Sequence, residues 1–190
     1  MFLDIGIGIL MAILISTAFE VQLTLLLVSI GILFALGPDL DFLYIYSREH
    51  NTRDDYKHRD IIHYPLLYLP IGTGLIFILF GNLWAILFFF ASLLHFIHDS
   101  IAVGWGIKWL FPFSRKNIAF FYLYSSKLKQ GLRKSIFVFD EKKLPKIVSM
   151  HGDKDWVKNI YHKWHPIAIV EFLVFIISVL ILVIVLNSNS

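Results

Sequence analysis

The chain has 190 residues, 57% of them hydrophobic and only 16% charged, with no cysteine and a formal net charge of +3. A soluble domain carries roughly a quarter charged residues, so this composition and its long apolar runs point away from a soluble fold and to a polytopic membrane protein. The missing cysteines exclude disulfides and any thiolate metal site.

In chain order, the opening stretch MFLDIGIGILMAILISTAFE has neither a basic leader nor a small-residue cleavage site, and it reads as a retained membrane helix over about 3–19. A second apolar run covers about 21–37, close behind Glu20. After a polar segment, 47–64, two further runs follow at about 65–80 and 82–102, separated only by Gly81 and Asn82. These short connections predict two tight hairpins. The segment 105–165 is long, basic and aromatic, and a last apolar run covers about 166–187. A bilayer core takes on the order of 20 apolar residues per helix. The expected fold is therefore all-α: a polytopic membrane helix bundle of about five transmembrane helices, two hairpins plus a C-terminal helix, with a basic cytoplasmic segment. The divisions are 1–104, 105–165 and 166–190.

Charge sets the expected orientation. Arg48, Arg53, Lys57 and Arg59 lie in the first polar segment, and the other thirteen cations lie in 105–165, against four acids there. Five spans put both segments on one side, which the positive-inside rule makes cytoplasmic. The N-terminus is then inside and the C-terminus outside a prokaryotic inner membrane. The stretch WGIKWLFPFSRKNIAFFYLYSSKLK interleaves aromatic and basic residues, as suits the headgroup layer and anionic lipid. Nucleic acid is the lesser alternative for such a stretch. Within 105–165, KSIFVFDE reads as a short strand and DKDWVKNIYHKWH as a helix capped by Asp153 or Asp155.

Six acids remain outside the two polar segments: Asp4, Glu20, Asp39, Asp41, Asp99 and Glu171. Ionisable groups within spans are rare and usually face the bundle interior. Asp4 and Glu20 lie at helix ends and read as ordinary end residues. Asp39, Asp41, Asp99 and Glu171 all fall toward the cytoplasmic ends of their helices, as do His58, His63, His95, His98 and His165. His95 and Asp99 are four apart and share a helix face. Pro38 removes a backbone donor, frees the Phe34 carbonyl and biases Gly37 away from helical angles. A broken helix is expected there, with a new short helix opening at Pro38 and both carboxylates at its positive end.

Imidazole and carboxylate together suit Zn²⁺, or else Mn²⁺ or Fe²⁺. One or two divalent ions would be held by Asp39, Asp41, His58, His63, His95 and Asp99, with Glu171 as a further ligand or general base. Such an ion offsets the cost of burying carboxylates and activates water for hydrolysis. Asp39, Asp41, His63, Asp99 and Glu171 are the catalytic candidates. Arg59 and Arg115 are candidates for holding an anionic group, most simply a phosphate. The substrate class is a small-molecule or lipid phosphoester met at the cytoplasmic interface. His98 and His165 read as supporting or interfacial residues, and His50, His151 and His162 as surface residues.

The motifs PDLD (Asp39, Asp41), HRDIIHY (His58, Arg59, His63), HFIHD (His95, Asp99) and FPFSR (Phe113, Ser114, Arg115) follow one another in this order. In order and spacing they resemble the YdjM-like membrane-bound metal-dependent hydrolases. That family has P-D-x-D, then H-R-x-x-x-H-S, then H-x-x-x-D, then a P-F-S-like element. Asp60, Ile62 and Tyr64 depart from the Gly, Thr and Ser usual at those places. The H-x-x-x-D and P-D elements are also similar, more distantly, to those of zinc-dependent phospholipase C-type proteins. The resemblance implies a metal-dependent hydrolase. A proton or divalent-metal transporter, or a scaffold with a structural metal, would account for the same buried groups.

Overall fold

The structure, a computed structural model, describes residues 1–40, 62–128 and 131–188. Its helices form where the apolar runs are: α1 Phe2–Ala18, α2 Leu25–Leu36, α3 Pro65–Phe80, α4 Asn82–Asp99 and α6 Pro166–Ser188. Between α4 and α6 lie β1 Ile101–Ala102, β2 Asn117–Leu123, β3 Leu132–Phe139 and α5 Leu144–His151. The protein is thus mostly helical with a small sheet, and the all-α expectation is corrected by that sheet. Of the described helices, α4 and α6 are long and apolar enough to cross a membrane. At 17, 12 and 16 residues, α1, α2 and α3 are shorter apolar helices.

The start of α2 shows why one expected run shrank. Thr24 caps the helix, its hydroxyl accepting the Leu27 N–H at 3.2 Å, so residues 21–24 stay outside. At the other end α2 stops at Leu36 and a separate short helix carries Pro38, as expected, but the backbone does not leave helical angles. Gly37 keeps helical angles (φ −53°, ψ −44°) and Gly37–Asp39 tightens into one 3₁₀ turn. The restriction that proline imposes on its predecessor acts partly through the Cβ, which glycine lacks. The freed Phe34 carbonyl accepts a hydrogen bond from Ser92 Oγ at 3.1 Å, which joins α2 to α4.

The chain divides into two compact units. The first holds α1, α2, most of α3 and α4, and α6. Glycine sets its packing. A Cβ at Gly8 would come within 2.5 Å of Ile32 Cα, and one at Gly31 within 2.5 Å of the Gly8 carbonyl. The backbones of α1 and α2 therefore touch, in the manner of small residues at membrane helix crossings. Gly6 packs against Phe175 and Ser178 of α6 less closely, a Cβ there falling 3.2 and 3.3 Å from them. Ile9, Ala12, Ile15, Leu27 and Leu87 form the core of this bundle. Much of the outer surface is large and apolar, with Leu75, Phe77, Ile78, Ile177, Leu180 and Ile184 exposed.

The second unit holds the sheet, in the order β1-β2-β3, with β1 parallel and β3 antiparallel to β2. The expected strand KSIFVF falls within β3. Trp105, Ala119, Leu123 and Leu144 are buried between sheet and α5, each large side chain contributing about 2 kcal/mol. The expected cap is not made: Val157 precedes the short helical turn Lys158–His162 with no side-chain cap bond, and Asp153 Oδ1 accepts the Asp155 N–H at 3.0 Å in a local turn instead. Its Oδ2 accepts from Tyr124 Oη at 2.7 Å and Asn159 Nδ2 at 2.8 Å. Burial alone would raise the Asp153 carboxyl, but these hydrogen bonds and the Lys163 charge outweigh it and hold the group below its ordinary value. Lys108 is buried and donates to Glu141 at 2.7 Å; that hydrogen bond lowers the Glu141 carboxyl.

Candidate metal centre

Asp39, His63, His95 and Asp99 each offer one ligand atom, and these atoms all lie within 4.8 Å of one another. Local structure explains how each is delivered. Asp39 ends the 3₁₀ turn that Gly37 and Pro38 add to α2. His63 stands two residues before Pro65, the first residue of α3, with its ring edge-on to Phe96 at 6.1 Å. His95 and Asp99 are one turn apart on the unbroken helix α4. Ser100 closes that helix, its hydroxyl donating to the Phe96 carbonyl and accepting from Trp109 Nε1, both at 2.8 Å. Next to His63, Tyr64 stacks on Phe111 with ring centroids 4.1 Å apart.

The geometry suits a small divalent cation. Nε2 of His63 lies 3.0 Å from Asp99 Oδ2 and 3.5 Å from Asp39 Oδ1. Ligand atoms about 2.0–2.1 Å from a tetrahedral Zn²⁺ stand about 3.3 Å from each other. Two imidazole nitrogens and two carboxylate oxygens make a donor set that such an ion accepts, and two negative charges would match its own. His63 and His95 are fully buried and Asp99 nearly so, while Asp39 keeps partial exposure on one side. If all four donors bound a tetrahedral ion its shell would be filled, so a water would enter as a fifth ligand or in place of one donor.

Four of the residues singled out in the sequence are thus brought together. Asp41, His58 and Arg59 lie outside the described residues. Glu171 is buried in α6, one turn before Phe175, and is not among the four clustered residues. Arg115 is exposed at the entry to β2, where its charge helps to lower the Glu141 carboxyl. His98 lies in the last turn of α4, and His165 precedes α6, its Nδ1 accepting the Ile167 N–H at 3.3 Å.

Sequence reasoning missed one participant. Asp4, read as an ordinary helix-end residue, is buried, and its Oδ1 lies 3.1 Å from Nδ1 of His95. Its Oδ2 lies 2.8 Å from the Met1 nitrogen. A signal was present: Asp4, Gly8 and Ala12 are spaced four apart, so Asp4 continues the small-residue stripe that marks the packed face of α1.

No curated protein and no solved structure matches this chain significantly. The family model described as "YdjM inner membrane protein" matches residues 3–189, nearly the whole length. With that match, the chain belongs to the YdjM inner membrane protein family.

Proposed function

We propose that this protein is a membrane-embedded, metal-dependent hydrolase acting at the cytoplasmic face of the inner membrane on a phosphoester, a phospholipid or another amphiphile. The single observation that carries this reading is the buried His–Asp group, with ligand separations of 3.0 and 3.5 Å at its centre. Asp39, His63, His95 and Asp99 would hold the ion, Zn²⁺ first among the choices. When bound, it would compensate the carboxylates and supply a water whose pKa is brought down to about 7.

The chain's own residues do the rest. Burial of His63, His95 and Asp99 keeps bulk water from competing for the donors. Asp39, the most exposed of the four, would be the donor nearest to an entering substrate. Glu171 is the candidate general base or further ligand, and Arg59 and Arg115 the candidate contacts for the phosphate. The five-span topology with N-terminus inside belongs to the same reading. The exposed apolar surfaces of α2 and α3 support it, because side chains such as Leu33, Leu75 and Ile78 suit lipid better than water. The outer face of the β2–β3 hairpin adds a lipid contact: Ile118 pairs with Val138 and Phe120 with Ile136, beside Lys134.

The test is turnover. The purified chain in nanodiscs, loaded with Zn²⁺ or Mn²⁺, should hydrolyse at least one member of a panel of soluble and lipid phosphoesters. Asp99→Asn and His63→Ala should each lower that rate by more than about 100-fold. A metal-loaded protein inert to the whole panel, yet passing metal ions or protons across liposomes, would favour transport instead.

A further inference from the structure

We infer that Asp4 is a positioning residue for the metal group, holding His95 so that its Nε2 is presented to the ion. This rests on the metal reading above. The pair joins α1 to α4 across 91 positions of sequence, at 3.1 Å, with both side chains essentially inaccessible. An ionised carboxylate only accepts hydrogen bonds, so the imidazole nitrogen facing it carries the proton. Nδ1 faces Asp4, which leaves the lone pair of the neutral ring on Nε2. His63 also turns Nε2 toward Asp39 and Asp99. Both rings then use the same nitrogen, and the ring of His95 is fixed by a group that does not itself join the ligand set.

The placement of Asp4 is rigid. Two turns of α1 carry Asp4, Gly6 and Gly8; Gly8 meets α2 with no room for a Cβ, and a Cβ at Gly6 would sit a tight 3.2 Å from Phe175 of α6. Asp4 thus has little freedom to slide along His95. A carboxylate held against a metal-binding imidazole sets its tautomer and raises its basicity, and losing one typically costs 10–100-fold in metal affinity. A purely structural ion pair would predict a change in stability and none in affinity.

The experiment uses the full chain in nanodiscs. Zn²⁺ affinity is measured by competition with a chromophoric chelator, and the Co²⁺-loaded protein is followed by its visible absorption. Asp4→Ala should weaken Zn²⁺ binding about 10–100-fold and shift the Co²⁺ bands. Asp4→Asn, nearly isosteric and still able to accept from Nδ1–H, should lose less, and it serves if the alanine variant fails to fold. Glu20→Gln should match the wild type. Unchanged affinity and spectrum in both Asp4 variants would overturn the inference while leaving the metal reading intact. So would a lowered melting temperature of the metal-free protein at unchanged affinity. Absence of metal binding by the wild type would overturn both.

Discussion

Two regions of this molecule, the sheet with its flanking segments and the apolar helices, handle charge in opposite ways. Around the sheet, buried or half-buried ions meet opposite charges or several neutral donors: Lys108 meets Glu141, and Asp153 gathers three hydrogen bonds. Those contacts account for the groups that make them. Among the apolar helices α1, α2, α3, α4 and α6, no Lys or Arg occurs. The buried acids there face imidazoles instead, Asp4 with His95 and Asp99 with His63. Histidine is a weak counter-charge but a good metal ligand. The contrast teaches that the first set of charges is matched within the fold, whereas the second has a donor set that could hold a cation.

Three substitutions can break or sharpen this comparison. The largest effect is expected at the α1–α2 crossing. Gly31→Val must push Gly8 and Ala12 away, at a cost of about 3 kcal/mol or more. Thermal unfolding in detergent should show a large fall in midpoint, and an unchanged midpoint would contradict the close crossing. A smaller effect belongs to the sheet unit and depends on pH. Asp153 and Glu141 titrate lower when folded than when unfolded. Their stabilisation is therefore complete above their ordinary values of 3.8 and 4.5 and is lost as pH falls through and below these. Asp153→Asn should lower stability by about 1 kcal/mol at pH 7 and by progressively less toward pH 3, as read by denaturant titration. The smallest is Ser92→Ala, which leaves the Phe34 carbonyl without its hydroxyl donor. It should cost about 0.6–1 kcal/mol in the helical unit and leave the sheet unit untouched.

How far the sequence was legible follows the same divide. Apolar runs placed the long helices well, and α3 begins and ends where its run does. Periodicity failed where a single side chain decides the outcome. Thr24 caps α2 and removes a turn from it, and Gly37 keeps helical angles ahead of Pro38. β2 was hidden because AFFYLY is continuously aromatic and reads as interface as readily as strand. α5, eight residues opening with Leu144 and Pro145, is too short for a clear period. At the site, His63, His95, Asp39 and Asp99 stood out because ionisable residues at one depth of a bundle are rare. Asp4 escaped because closeness to a chain or helix end is the common place for an acid. Only its register with Gly8 and Ala12 gave it away.

The most direct measurement is the metal content of the purified chain, by mass spectrometry of its elements, alongside His63→Ala and Asp99→Asn. The account predicts at least about one divalent ion per wild-type chain, falling to background in both variants while their helical content is kept. A wild type at background even after incubation with Zn²⁺, Mn²⁺ and Fe²⁺, or variants that bind as well as it does, would contradict it.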